Sequence, residues 1–154
     1  MKKCLILILF LLLIAGCTND ISKDKNNMPN EILQKEANEE SEQMNEIKII
    51  IDSNSYVLKL EDNDTTKEFI QLLPKDFNMN ELNGNEKYVY LDSSLTSNPS
   101  NIKSIKTGDV MLYGDDCLVI FYKSFDTSYS YTKIGHIDNL PNLGNGKITV
   151  KFEK

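Results

Sequence analysis

The sequence has no arginine and no tryptophan, and its 154 residues include one histidine and three cysteines. Each shortage removes a class of function. Without Arg there is no planar guanidinium to grip a carboxylate or phosphate through two parallel hydrogen bonds. All 17 cationic side chains are Lys, set against 23 Asp and Glu for a formal charge of −6. That balance lacks the basic stripe by which nucleic-acid binders are recognised, so nucleic acid is not expected as a partner. One His and scattered Cys make no metal-ligand pair. No Gly-Lys-Ser or Gly-Lys-Thr phosphate loop is present, and no Gly-x-Ser-x-Gly elbow. No cofactor and no metal are therefore expected.

One long apolar run is present, at the start. Met1-Lys2-Lys3 is a short positive segment, followed by the ten apolar residues Leu5–Ile14. A membrane-crossing helix needs about 20 apolar residues, whereas ten is the size of a signal-peptide core. Ile14-Ala15-Gly16-Cys17 then resembles the bacterial lipobox. The sequence thus predicts a signal peptide over 1–16 and a Cys17 thiol joined to membrane lipid. Each buried acyl CH₂ is worth about 0.8 kcal/mol, so two or more chains hold the protein at the cell membrane, on its extracytoplasmic face. Cleavage would remove Lys2 and Lys3, leaving 15 Lys against 23 acidic residues and a charge of −8. It would also leave Cys117 as the single free thiol, so no intrachain disulfide is expected and the domain must rely on its core.

Residues 17–45 read as the lipidated cysteine and a disordered tether. The stretch is rich in Asn, Glu, Lys, Ser and Gln and has no aromatic residue, too little apolar surface to offset ordering entropy. As a coil its mean reach is about 30 Å. Glu31–Met44 holds enough helix formers for a transient helix.

The domain is expected over 46–154. Ile47, Ile49 and Ile51 fall on one face of a strand, and Tyr56, Leu58 and Leu60 on one face of another, across the polar turn Asp52–Ser55. Ile148, Val150 and Phe152 alternate with polar residues at the end of the chain. Further strands are expected at Tyr88–Leu91, Val110–Tyr113, Cys117–Tyr122 and Tyr129–Ile134. Cys117–Tyr122 is apolar on both faces, so it should be central or covered. Gly114-Asp115-Asp116 reads as the tight turn before it. Thr65-Thr66-Lys67-Glu68 has capping-box spacing ahead of a helix with a Phe69, Leu72, Leu73 stripe, ended by Pro74. A second helical turn is expected near Asn78–Leu82. The fold class is mainly β: seven or eight strands with one or two short helices, closed into a small barrel because closure removes exposed edges.

The segments FIQLLPKDFNMNELNGNEKYVYL, GDVMLYGDDCLVIFYKSF and TSYSYTKIGHID resemble the bacterial cyclophilin-like domain family, over nearly all of 46–154. The resemblance implies a small β-barrel related in fold to the cyclophilin prolyl isomerases. Those enzymes use an Arg that donates to the twisting prolyl amide, supported by aromatics, a Gln, a His and often a Trp. This chain has neither Arg nor Trp, and Lys supplies charge without a planar fork. Fold does not imply function.

Among single residues, His136 is a candidate acid–base group or ligand, or more plainly a turn or rim residue. Cys117 opens an apolar strand beside Asp115 and Asp116, which would raise its pKa, so a buried structural thiol is favoured. Asp62-Asn63-Asp64 and Asp115-Asp116 lack the later Gly and Glu of a calcium loop; the first suits a helix N-terminus and the second a solvated turn. The best candidate groove is aromatic: Tyr113, Phe121, Tyr122, Phe125, Ser128, Tyr129 and Tyr131, with Tyr88 and Tyr90 as neighbours in space. Aromatics among small hydroxyl residues suit an amphipathic ligand; otherwise alternate rings simply fill the barrel. The loop Lys123–Ser128 is expected beside the pocket. The functional expectation is a non-enzymatic lipoprotein that binds a peptide, a small molecule or an envelope protein. The alternative is a prolyl isomerase-like foldase for exported proteins.

Overall fold

The computed structural model describes residues 45–154; the expected signal peptide, Cys17 and tether lie outside the described residues. The chain forms β1 (Glu46–Ile51), β2 (Asn54–Leu60), α1 (Asp64–Gln71), β3 (Lys75–Leu82) and β4 (Glu86–Tyr90), then short β5 (Ser100–Asn101) and β6 (Ser104–Ile105). It continues through β7 (Asp109–Tyr113), β8 (Cys117–Phe121), short β9 (Phe125–Asp126), β10 (Ser130–Ile137) and β11 (Ile148–Glu153). Eight antiparallel strands run in the order β2-β1-β11-β3-β4-β8-β7-β10, and β10 returns to pair with β2. The sheet is therefore a closed barrel, as the sequence pattern implied.

Alternation decides what faces inward. Ile47, Ile49, Ile51, Leu58, Val150 and Phe152 are all buried in one interior cluster. Helix α1 contributes Phe69 to it, and Phe69 and Phe77 both meet the Phe152 ring edge-on, at 5.3 and 5.6 Å between centroids. The β1–β2 hairpin turns on two residues, Asp52 and Ser53, both with positive φ (48° and 69°), the geometry whose twist matches the flanking strands.

The barrel closes on a seam of three pairs, Gly135↔Leu60, His136↔Lys59 and Ile137↔Leu58. Just before it β10 bulges between Lys133 and Gly135, and beyond the bulge it pairs with β7 on its other edge, Gly135 opposite Val110 and His136 opposite Asp109. A side chain at Gly135 would run into the Lys59 carbonyl oxygen and sit 2.8 Å from Leu58 Cδ1.

Two local expectations are corrected. The N-cap of α1 is Asn63, whose Oδ1 accepts from Thr66 N at 2.9 Å, and not a Thr65–Glu68 capping box. Thr65 lies inside the helix and donates to Thr96 O, while the Glu68 carboxylate accepts from Thr96 N and Oγ1 at 2.6 and 2.7 Å. These groups tie the helix to the β4–β5 connection. The helical turn expected near Asn78–Leu82 is instead part of β3. Phe77 and Met79 alternate with Asp76, Asn78 and Asn80, and both are buried against the barrel interior.

Strands β7 and β8 are buried on both faces. Val110, Leu112, Leu118 and Ile120 point into the barrel. Met111, Cys117, Val119 and Phe121 point outward into a second cluster with Ile105 and Tyr131, against which Tyr88, Ile102 and Phe125 pack. The long connection carrying β5 and β6 covers part of that outer cluster, β5 pairing with β10 and β6 with β9. What it leaves uncovered forms the site.

Candidate functional site

The site is built on the outer face of the barrel wall. In β4 the alternation that turns Lys87 and Val89 inward turns Glu86, Tyr88 and Tyr90 outward. Register then sets Glu86 opposite Phe121, Tyr88 opposite Val119 and Tyr90 opposite Cys117. Across β8, Cys117 faces Tyr113 of β7, and Tyr131 of β10 lies beside Tyr113 with centroids 5.5 Å apart. Together these residues line a pocket of about 290 Å³, closed at one side by Leu82 and Asn83 of the β3–β4 turn and on another by Tyr129.

Its walls are interlocked rings. Tyr88 meets Tyr90 edge-on at 6.0 Å, Tyr113 meets Tyr129 edge-on at 6.0 Å, and Tyr131 stands edge-on to Phe121 at 5.5 Å. Such edge-to-face pairs are each worth about 0.5–1.5 kcal/mol beyond area burial, so the rings brace one another. Five large apolar side chains are exposed among the described residues: Val57, Leu82, Tyr90, Tyr113 and Tyr129. Four of the five line this pocket. Exposed apolar side chains gathered in one place are distinct from the singly scattered ones common on any protein surface.

The pocket carries one charge. Glu86 is 9 % exposed, and burial, then the neighbouring Glu81, hold its carboxyl above the usual carboxylate range. No Lys and no His lines the pocket. The Tyr131 hydroxyl is pushed up to about 12, first by burial and then by Glu86. The Cys117 thiol is pushed up to about 11 by burial, then Asp116 and Glu86. It is a protonated, buried thiol at neutral pH and a poor nucleophile.

Of the residues expected in the groove, Tyr113, Tyr129 and Tyr131 line the pocket. Phe121 and Phe125 lie beneath the surface in the outer cluster, 5.7 Å apart. Tyr122 lies elsewhere. It belongs to the interior cluster, donates to Glu81 Oε1 at 3.1 Å, and has the Lys87 ammonium 5.1 Å from its ring. One residue beyond the end of β8, the alternation turns its ring away from Phe121. Ser128 is exposed, and no residue of the loop 123–128 lines the pocket; β4 supplies that wall instead. The residue that sequence reasoning missed is Glu86. The signal was available, since Glu86 shares the period-2 face of Tyr88 and Tyr90.

His136 lies within β10, not in a turn. Its Nδ1 is 3.0 Å from Asp109 Oδ1 and its Nε2 is 3.6 Å from Asp138 Oδ1. Asp109 is itself held by Lys106 N at 2.8 Å. The Nδ1 contact with Asp109 ties β10 to β7. Asp62 pairs with Lys67 at 2.8 Å, beside the helix N-terminus. The carbonyls of Asp115 and Asp116 accept from Leu95 and Leu91. A second depression, of about 470 Å³, is lined by Glu46, Ser55, Tyr56, Val57, Lys59 and Asp138; two of its three charged groups pair with each other, Lys59 Nζ lying 2.6 Å from Asp138 Oδ2.

Comparison with known proteins bears on the barrel that carries this pocket. The model of the cyclophilin-like family matches residues 49–153. The chain belongs to the cyclophilin-like family. Among solved structures it is similar to the solution structure of a hypothetical protein from Archaeoglobus fulgidus, with 20 % identity and a TM-score of 0.48, covering 70 % of this chain and 92 % of that one. No curated protein matches the chain. Membership accords with the barrel.

Proposed function

We propose that this cyclophilin-like protein is a membrane-anchored, extracytoplasmic lipoprotein whose barrel holds a peptide or small molecule in the tyrosine pocket without transforming it. The observation that carries the binding role is the gathering of four of the five exposed large apolar side chains around one concave site. Pockets of a few hundred Å³ with mainly aromatic walls and few polar groups are the usual form of a ligand site. The site's one thiol, Cys117, is protonated and buried, and the lining holds no cationic donor and no metal-ligand set to act on what it binds. The anchoring role rests on the lipobox-like Ile14–Cys17 and the apolar run before it.

Two experiments test the reading. Cells expressing the chain are labelled with palmitate; the intact protein takes up label and fractionates with membrane, and Cys17→Ser abolishes both. Label-free, soluble wild-type protein would overturn the anchor. For the pocket, two-dimensional NMR of the chain from residue 17 onward, carrying Cys17→Ser, is recorded with Xaa-Pro peptides. All eight barrel strands lie within 46–153, so loss of the anchor leaves the barrel whole. Amide shifts confined to residues 86–90, 113 and 129–131 support binding. Peptide cis–trans exchange well above the uncatalysed rate of tens to hundreds of seconds would instead make this a foldase with chemistry independent of Arg.

A further inference from the structure

We propose that the tyrosine pocket selects an organic cation, an alkylammonium group held against the tyrosine rings with the Glu86 carboxylate as its counter-ion. The inference rests on the pocket being a binding site and names the chemistry of what it binds.

Three observations carry it. The first is the wall. Tyr88, Tyr90, Tyr113, Tyr129 and Tyr131 surround one small concavity. Aromatic faces attract cations through the ring quadrupole, and clustered rings are a recurrent means of holding quaternary and methylated ammonium groups. The second is Glu86. It is more than nine-tenths buried, lines the pocket, and has no cationic partner among the described residues. The lysines on the barrel strands find other partners: Lys48 and Lys151 pair with Glu153, Lys59 with Asp138, Lys75 with Asp92 and Lys133 with Glu61. Lys87, adjacent to Glu86 in sequence, points to the opposite side of the wall and donates to Gly144 O and Gly146 O at 2.7 and 2.8 Å. An unpaired buried carboxylate is costly unless a cation or a proton joins it. The third is what the pocket excludes. With no Lys and no His in its lining, it has no positive charge to offer an anion, and the Glu86 carboxylate would repel one.

Size restricts the ligand further. At about 290 Å³ the pocket is at the low end for ligand sites. It suits a small ammonium head, either a free compound or a single side chain of a peptide, and not a folded surface.

The test compares choline with its neutral isostere 3,3-dimethylbutan-1-ol, and a lysine dipeptide amide with its ε-acetylated form. Each is titrated by NMR into the chain from residue 17 onward with Cys17→Ser. The cation of each pair is expected to bind with shifts at residues 86–90, 113, 117 and 129–131, and the neutral partner to bind at least about tenfold more weakly. Which pair shows the larger ratio tells a free quaternary ammonium from a peptide amine. Glu86→Gln should weaken the cation by at least about tenfold, because it deletes one member of a buried charge pair. Tyr90→Leu and Tyr113→Leu should each weaken it about two- to fivefold. Equal binding of neutral and cationic partners would overturn the cation proposal and leave the pocket's binding role standing. If no cation shifts the pocket at millimolar concentration while a proline peptide does, the proposal again fails alone. If neither does, the proposal and the binding role fall together. Because the isostere comparison uses the unmutated pocket, misfolding of a variant cannot hide the answer.

Discussion

Gly135→Ala should open the barrel at its seam. The added Cβ would overlap the Lys59 carbonyl oxygen and stand 2.8 Å from Leu58 Cδ1 and 3.2 Å from the Lys59 carbonyl carbon. The leucine methyl can rotate away, but the Lys59 backbone cannot. β2 is held on its other edge by β1, with Leu58 opposite Ile47 and Lys59 opposite Glu46. Relief must therefore come from separating β10 from β2, where three residue pairs make the whole closure. Inserting one methyl into a packed site costs about 1–3 kcal/mol where side chains can adjust; against backbone the upper figure applies. At about 3 kcal/mol a domain of this size loses roughly 12–24 °C of melting temperature. Gly114→Ala is the control. Gly114 has φ of +67° but nothing within 4 Å of the new Cβ, so only the left-handed backbone is penalised, by about 1–2 kcal/mol. Thermal melts followed by near-ultraviolet circular dichroism read both variants. If Gly135→Ala melts within 3 °C or so of the wild type, a shift below the expected cost of a single kilocalorie, the seam is slack and the closure argument is wrong.

Other outcomes follow from the same geometry. Asn63→Ala removes both the cap on Thr66 N and the Nδ2 donor to Lys133 O at 2.8 Å; urea unfolding should show a loss of about 1–2 kcal/mol. The Glu86 carboxyl is raised in the folded state by burial and by Glu81, so the folded protein holds this proton to higher pH than the unfolded chain. Its contribution to stability is complete below the ordinary carboxylate value and lost as pH rises through the raised one. Glu86→Gln should flatten that part of a melting-temperature profile, and a profile identical to wild type would refute the assignment. The acid limb belongs to Asp62, Glu68, Asp92, Asp138 and Glu153, whose hydrogen-bond and charge partners lower their values; their support is present above the ordinary carboxylate value and lost as pH falls through the lowered ones. Finally, with its thiol pushed up to about 11, Cys117 should resist iodoacetamide at pH 8 in the folded protein and react readily in denaturant. Rapid labelling of the native protein would show that the outer cluster is open.

Much of the barrel was legible because period-2 alternation is a direct consequence of strand geometry. Ile47-Ile49-Ile51 and Val150-Phe152 needed no context to be placed inside. β3 was misread because its apolar pair, Phe77 and Met79, is set among Asp and Asn, residues depleted in strands. Its partners β4 and β11 lie elsewhere in the sequence, and they supply the pairing that overrides local preference. The capping box failed for a related reason. The Thr65 hydroxyl and the Glu68 carboxylate had a long-range partner, Thr96, that no local pattern reveals. At the site, the tyrosines of β7 and β10 could be named, but Tyr122 and Phe121 could not be assigned to opposite sides of the wall until the end of β8 was known. Glu86 was legible as a neighbour of Tyr88 and Tyr90 on one strand face, but its burial without a cationic partner depends on long-range packing that no local pattern reveals.

The two apolar clusters explain how this fold can carry such a site without risk to the barrel. The interior cluster, from Ile49 through Phe152, closes around itself and includes none of the pocket tyrosines. The pocket is carved from the outer cluster, where Cys117, Val119 and Tyr131 are shared between packing and lining. A charge such as Glu86 at this position strains only the outer layer, since β4 presents it on the side away from Lys87 and Val89. Changes to the exposed pocket tyrosines Tyr90, Tyr113 and Tyr129 should therefore alter binding with small effects on stability. Changes at Phe152 or Phe69 should unfold the chain and take the pocket with them, because truncating a buried Phe costs about 3–5 kcal/mol. The acidic, tyrosine-lined site is thus confined to the outer surface of the barrel, apart from the interior cluster that holds the fold together.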